Sequence, residues 1–433
     1  MMNQHRLLAL PVLGESFLLQ RDGKNILVDG GFSSSRLIRA LQATNVDVNQ
    51  LDIVVCTHAD RDHAGGLKNL LGNSTVSVGE IWLPGEWGDS LRELLNDPKA
   101  VVDALVNEFR EFEPPRLNDS PADSGDSDEV ERQAYAIINS LREKRMKNYK
   151  HDVQFVEGEE TGLSGLQWLQ EIAGNTQQKD ANLQDERHIQ NRKAAENIFQ
   201  NGINRIRYRQ AKRRLDAIWA KIWIVAIHAA AIIRGIALQA IESNVRVRWF
   251  DFDRFVQNGY HPVGGVADLL TPLNAVEIPM PPTPASDLRY FVRLTPVNER
   301  SLAFLSTQAA GLCPTDIVFT GDSPLGYGVG YKMSFLARRT QRGLAIVTAP
   351  HHGSESNAVA YTHIRSCWQD LLWLRSGGTR KHPGATFKKI PTHLRACTHC
   401  PQKGKALDLA EVQLSDRLWP VLRVRSHYCD CEA

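Results

Sequence analysis

His58, Asp60, Asp62 and His63 crowd into the run Thr57-His58-Ala59-Asp60-Arg61-Asp62-His63, directly after the apolar stretch Leu51-Asp52-Ile53-Val54-Val55-Cys56 and just before Gly65-Gly66. Two imidazoles and two carboxylates at the exit of a buried strand must face water, pair with one another or hold cations, because stripping charge of water is costly. The spacing suits cations, since alternating side chains of a short loop point into two adjoining positions. A polar turn whose aspartates cap the next helix is the plainer reading of the same residues.

Two later strand ends carry the same kind of cargo. Asp316 to Thr320 runs into Gly321-Asp322-Ser323, and Leu344 to Thr348 runs into Ala349-Pro350-His351-His352-Gly353-Ser354. Either group alone reads as a helix cap or a turn. Together with the first cluster they supply what a two-metal site needs: imidazole and carboxylate ligands, with one carboxylate able to bridge two ions.

The elements that must position these groups fall into zones. Residues 1–90 alternate short β-type runs with turns: Leu7 to Leu13, Ser16 to Gln20, and Asn25 to Gly31, which contains Asp29. A helix is expected from Ser34 to Gln42 and a further strand over Glu80-Ile81-Trp82-Leu83-Pro84. Residues 91–245 read as a mainly helical insertion, with an acidic, Ser- and Pro-containing stretch from Asn118 to Glu131. Residues 246–390 return to β-type sequence, opening on Val245-Arg246-Val247-Arg248-Trp249-Phe250. The stretch 391–433 is a Cys- and His-rich tail.

Composition sets limits. The 433 residues are 42% hydrophobic and 23% charged, ordinary for a soluble globular chain, and the net charge of +2 offers no global attraction to nucleic acid or acidic membranes. Any such attraction would have to be local. The basic run Arg205, Arg207, Arg209, Lys212, Arg213 and Arg214 is the candidate for contact with a nucleic-acid backbone, weighed against a solvated helix face. Residues 217–241 are the most apolar stretch, but Lys221, His228 and Arg234 interrupt it. An internal or amphipathic helix is therefore expected instead of a membrane span. The first 20 residues show no secretory pattern, being broken by Pro11, Gly14 and Glu15, and a cytoplasmic location is expected.

The seven cysteines are an odd number, and four of them lie from Cys397 onward. Cys397-Thr398-His399-Cys400 and Cys429-Asp430-Cys431 suggest a structural zinc site of four thiolates, with His427 able to replace Cys429; unrelated surface thiols are the alternative.

Asp29 after a strand, the His-x-Asp-x-Asp-His cluster, Thr320-Gly321-Asp322 and Pro350-His351-His352-Gly353-Ser354 together resemble the metallo-β-lactamase fold superfamily. More narrowly, Asn298-Glu299-Arg300-Ser301-Leu302 and Arg375-Ser376-Gly377-Gly378 leading to His382-Pro383 look like the soluble hydrolase domain of ComEC-type competence proteins and their free-standing bacterial relatives. The resemblance covers about 1–90 and 285–385 and implies an α/β fold, the αββα four-layer sandwich, with the helical insertion and Cys-rich tail added. It implies one metal held by His58 and Asp60 and a second by Asp62 and His63, with Asp322 bridging and His352 completing the second site. Asp29 would orient the first cluster by accepting a hydrogen bond. His351 would be a ligand in place of His352 or would contact substrate. Asp62 would accept the proton of the attacking water, and His382 would line the site or protonate a leaving group.

Two departures qualify the resemblance. Asp60 stands where many members have histidine, which hardens the first site and admits manganese beside zinc, one or two ions in all. A third histidine expected between the first cluster and Asp322 has no counterpart, since His151, His188, His228 and His261 lie in sequences that do not match. The implied activity is metal-assisted hydrolysis of a phosphodiester, with single-stranded DNA foremost. Hydrolysis of a thioester, lactone or lactam is the runner-up, and a non-catalytic or partner-activated scaffold, meeting a protein through the helical insertion, is the other class.

Overall fold

The structure is a computed structural model. It describes residues 5–44, 48–73, 75–111, 133–143, 165–174, 181–213, 217–281, 288–307, 315–337, 343–378, 382–400 and 407–414, with Cys429 and Cys431; within 181–213, side chains are described over 192–212. The acidic stretch 118–131, His151, Arg214 and His427, and the side chains of His188 and Arg213, lie outside the described residues.

Among the described residues two large sheets face each other. The first is eight-stranded. Its N-terminal members are β1 (His5–Ala9), β2 (Phe17–Arg21), β3 (Lys24–Val28), β4 (Gln50–Val55) and β5 (Ser77–Pro84). They are joined by β6 (Arg246–Asp251), β8 (Val276–Ile278) and β16 (Ala410–Leu414), in the order β16-β1-β2-β3-β4-β5-β6-β8. The second has six strands in the order β15-β14-β13-β10-β9-β7: β7 (Thr271–Pro272), β9 (Phe304–Ser306), β10 (Asp316–Phe319), β13 (Leu344–Thr348), β14 (Asp370–Arg375) and β15 (Arg395–Cys397). A small hairpin of β11 (Gly326–Tyr327) and β12 (Met333–Ser334) stands apart.

Successive side chains of a strand point to opposite faces, so burial on both faces requires apolar residues at nearly every position. β4 shows this directly: Ile53 and Val55 enter the space between the sheets, while Val54 enters the layer outside. From the other side, Ile317, Phe319, Ile346, Leu372 and Leu374 fill the shared space, and Val318, Val347 and Trp373 point outward. Two outer helical layers complete an αββα sandwich. Over the second sheet, Ala360, Tyr361 and Ile364 of α11 (Ala358–Cys367) and Phe387 of α12 (Ala385–Lys388) share the buried cluster.

The layer over the first sheet is built largely from the helical middle of the chain. Buried apolar residues of α1 (Ser34–Gln42), α3 (Gly88–Asn96), α4 (Pro98–Glu111), α6 (Gly165–Ile172), α7 (Ala181–Arg213) and α8 (Ala217–Glu242) belong to one cluster with Leu8, Leu18, Leu27, Val54 and Ile81 of the sheet. α8 is long and apolar enough to cross a membrane by composition alone, yet 61% of its most apolar window is buried inside the protein. Trp223 on α8 stacks on Phe291 of α10 (Tyr290–Leu294) at 3.4 Å between ring centroids and donates its indole N–H to Leu105 O at 2.9 Å. Truncating such an aromatic core side chain to alanine costs about 3–5 kcal/mol.

The C-terminal stretch feeds both sheets. β15 lies parallel to β14, and β16 runs antiparallel to β1, with Leu7 opposite Val412. The chain thereby closes its N-terminal edge strand with one of its last described segments.

Candidate metal centre

The candidate residues gather where parallel strands end, at their carboxyl edges, as ligand sites in open α/β sheets do. Asp29 follows β3, Thr57 to His63 follow β4 and begin the short α2 (Arg61–Ala64), Asp322 follows β10, His351 and His352 follow β13, and Ser376 follows β14. Asp29, His351 and His352 adopt left-handed backbone, with φ of +59°, +49° and +53°, which bends each chain sharply at the sheet edge. The β1–β2 loop closes over the cluster. A Cβ at Gly14 would lie 2.0 Å from Asp62 O, so only glycine lets that loop pass, and Glu15 N donates to Asp62 O at 2.7 Å.

Asp322 divides its two oxygens. Oδ1 lies 3.2 Å from His63 Nε2, while Oδ2 lies 3.6 Å from both His58 Nε2 and His351 Nε2. Asp60 Oδ2 is 3.5 Å from His58 Nε2, and His352 Nε2 is 3.0 Å from Asp62 Oδ2. His351 therefore sits on the His58 side and His352 on the His63 side. His58, Asp60 and Asp322 form one set able to hold a metal, and Glu15, His63, Asp322 and His352 form another; the two share Asp322. Asp62 reaches the second set through His352 and is not among its four members, and Glu15 takes that place. Sequence reading missed Glu15. It arrives from a loop between two β-type runs, where a lone acid looks like a turn residue.

The hydrogen bonds assign the imidazole tautomers. His63 Nδ1–H donates to Asp29 Oδ2 at 2.8 Å, His352 Nδ1–H donates to Ser376 O at 3.0 Å, and His58 Nδ1–H donates to Thr57 Oγ1 at 2.9 Å. Thr57 in turn donates its Oγ1–H to Asp29 Oδ2 at 2.7 Å, and its N–H to Asp29 Oδ1 at 2.9 Å. With Nδ1 committed, each Nε2 presents a lone pair to a carboxylate oxygen. Two acceptors at that distance repel unless a proton or a cation lies between them.

The fit to a divalent ion can be tested on these atoms. His58 Nε2, His63 Nε2, Asp322 Oδ1 and Glu15 Oε2 are all buried without a hydrogen-bond partner, a costly arrangement for polar groups. The electrostatics agree. Burial alone would lower the pKa of His63, but Asp322 and Asp29 lift it well above the usual imidazole range. Burial would raise Asp322, yet His351, His63 and His58 hold it well below the carboxylate range. Glu15 is pushed up to about 7 by burial, against the pull of His63 and His352. The site demands positive charge at its centre, and imidazole with carboxylate suits zinc or manganese.

His382 lies beside this centre, its ring centroid 5.5 Å from that of His351 and 5.8 Å from that of His352. Burial, then His351 and His352, lower its pKa to about 3, so it stands there as a neutral imidazole. Cys397, Cys400, Cys429 and Cys431 gather separately, against the outer face of the second sheet. In the basic run, Arg205 pairs with Asp103, Arg209 donates to Val106 O at 2.6 Å, and Lys212 lies over Tyr208. Arg207 instead contributes, with Arg61 and Lys68, to the positive field at His228. Burial, then those three cations, lower His228 to about 4.

Residues 10–139 match the family model described as the metallo-beta-lactamase superfamily. No curated protein matches the chain. Among solved structures, a Cronobacter sakazakii metallo-beta-lactamase described by a HARLDQ motif aligns at 22% identity over 20% of this chain and 33% of that one, with a TM-score of 0.17. The chain thus spans about a third of that protein's length.

Proposed function

We propose that this chain, whose metallo-beta-lactamase superfamily domain supports a metal-dependent hydrolase in general, hydrolyses phosphodiesters, with single-stranded DNA the foremost substrate. A divalent ion at the centre would supply Lewis acidity toward a phosphoryl oxygen and a low pKa for a water bound to it. The residues that would hold it are His58, Asp60 and Asp322 on one side, and Glu15, His63, Asp322 and His352 on the other. Zinc and manganese are the ions this donor set fits, with Asp60 favouring the harder of the two.

The observation that carries the substrate class is Arg61. It stands between Asp60 and Asp62, is exposed, and shares the surroundings of His228 with Arg207 and Lys68. Lys68 is ion-paired with Glu196 at 2.9 Å, so the exposed Arg61 is the cation beside the centre that carries the assignment. It attracts an anion such as a phosphodiester and offers nothing to a neutral lactam or thioester. Asp60 and Asp62 are partly exposed beside it, so a substrate phosphate can reach both.

Asp62 is the residue we assign to accept a proton from the attacking water. Its Oδ2 lies 3.0 Å from His352 Nε2, at the edge of the second ligand set, and is partly exposed to solvent that can take the proton on. His382, beside His351 and His352 and neutral there, would line the site instead of protonating a leaving group. The combination of Asp60 with the Arg375-to-His382 segment supports the narrower ComEC-like assignment.

The test is turnover of a generic phosphodiester and of single-stranded DNA with added zinc or manganese, beside a thioester and a lactam. We expect metal-dependent cleavage of the phosphodiesters and its loss in Asp62→Ala. Cleavage of the thioester or lactam alone would move the assignment to acyl substrates. Full metal occupancy without turnover of any of them would favour a non-catalytic scaffold.

A further inference from the structure

Arg375 and Arg395 are buried, at 1% and 4% exposure, on neighbouring strands β14 and β15. Among the described residues neither forms an ion pair with a carboxylate. Arg375 donates Nε–H to His352 O at 2.8 Å and its NH1 lies 3.8 Å from Cys431 Sγ. Arg395 donates to Phe387 O at 3.0 Å and to Cys431 O at 3.1 Å, while its Nε is buried without a partner. Two buried guanidinium charges thus flank the same group of thiols, and buried charge demands compensation.

Those thiols are arranged for a metal. The Sγ atoms of Cys397, Cys400, Cys429 and Cys431 all lie within 4.8 Å of one another, with separations of 3.9 Å for Cys397–Cys431, 3.7 Å for Cys400–Cys429 and 3.2 Å for Cys400–Cys431. A tetrahedron with metal–sulfur bonds of about 2.3 Å has sulfur–sulfur edges of roughly 3.8 Å. None of the four is in a disulfide. Four thiolates around a divalent ion carry two net negative charges, which match the two guanidiniums.

We propose that Cys397, Cys400, Cys429 and Cys431 form a tetrathiolate site for one thiophilic divalent cation of the zinc class, charge-balanced by Arg375 and Arg395. The site is distinct from the Asp322 centre in place and in ligand chemistry. It ties the chain at Cys429 and Cys431 onto β15, where Cys429 N already donates to Arg395 O at 3.2 Å. Its neighbour in strand register is also informative: Cys397 pairs with Arg375, and the Arg375-Ser376 segment holds His352 by its carbonyl and by Nδ1. The clip therefore abuts the segment that orients one metal-centre histidine.

Cobalt substitution of the full chain, purified under reducing conditions, tests this. Tetrahedral thiolate ligation gives a sulfur-to-cobalt charge-transfer band that imidazole and carboxylate ligands cannot give. We expect that band to saturate at one equivalent per chain, to persist in Asp322→Ala, and to vanish in Cys400→Ser and in Cys431→Ala. If those cysteine variants fail to fold, the wild-type chain still decides: modifying its thiols with an organomercurial should release one zinc as the four cysteines react. Absence of the band, its persistence in the cysteine variants, or mass-spectrometric disulfides among the four would overturn the proposal.

Discussion

His63 Nδ1–H donates to Asp29 Oδ2 at 2.8 Å, with both side chains fully excluded from solvent. The same carboxylate receives the N–H and hydroxyl of Thr57, so one residue after β3 fixes the start and the end of the His58–His63 run. The bond leaves His63 Nε2 aimed at Asp322 Oδ1, and the negative charge behind the ring raises its basicity.

Asp29→Asn separates that charge from backbone shape. Asparagine tolerates the left-handed φ of +59° at this position and keeps an oxygen for Thr57. We expect the variant to fold and to lose roughly 10–100-fold in metal affinity, the usual cost of removing such a partner. Calorimetric metal titration checks it; unchanged affinity would remove Asp29 from the centre.

Arg61→Glu tests the cation beside the centre. Reversing the charge beside Asp60 and Asp62 should raise KM for a phosphodiester about tenfold or more and weaken the dependence of KM on salt, with kcat affected less. Equal KM values at low and high salt in both proteins would show that Arg61 does not steer the substrate.

Asp251 supplies a pH dependence of stability away from the metal centre. Burial, and then Asp253, push its pKa up to about 7, against roughly 3.9 in the unfolded chain. The folded state therefore keeps a proton that the unfolded state has lost, and stability declines as pH rises from about 4 to about 7. Asp251→Asn has no such proton, while its Oδ1 can still accept from Arg254 N as in the wild type. Urea unfolding at pH 5 and pH 8 should show a decline that is larger in the wild type than in the variant, by a few kcal/mol at most, since the variant keeps only the contribution of other raised carboxyls such as Glu15. Parallel declines would contradict this.

Trp223→Ala probes how the helical middle of the chain is joined to the sheets. Trp223 is buried in the same cluster as β4 and β5, so its truncation should cost about 3–5 kcal/mol and lower the whole unfolding transition. A biphasic melt in which only an early phase moves would mark the helices as a separate unit.

The legible parts of the molecule are those where strand ends and ligand residues coincide in sequence. The His58–His63 run, Asp322 and the His351-His352 pair each follow an apolar strand, and the fold needs only to bring the strand ends together. The assignment of His351 to the His58 side and His352 to the His63 side depends on two left-handed residues in succession, which spacing does not reveal. Glu15 was hidden because its loop reaches the centre through the tight passage at Gly14. β16 was hidden as well: Ala410–Leu414 is a short run whose only signal is β1, far away in sequence. The basic run looks uniform in sequence, yet Arg205 is paired with Asp103 while the charge of Arg207 adds to that of Arg61 at His228.

The central claim is that Asp322 joins two ligand sets around divalent metal, and manganese binding followed by electron paramagnetic resonance tests it most directly. Manganese prefers oxygen and imidazole donors, so the tetrathiolate cluster does not compete for it. The expected result is saturable manganese uptake by the wild-type chain and at least a roughly tenfold weaker uptake in Asp322→Ala. Equal uptake by the two proteins would contradict the account.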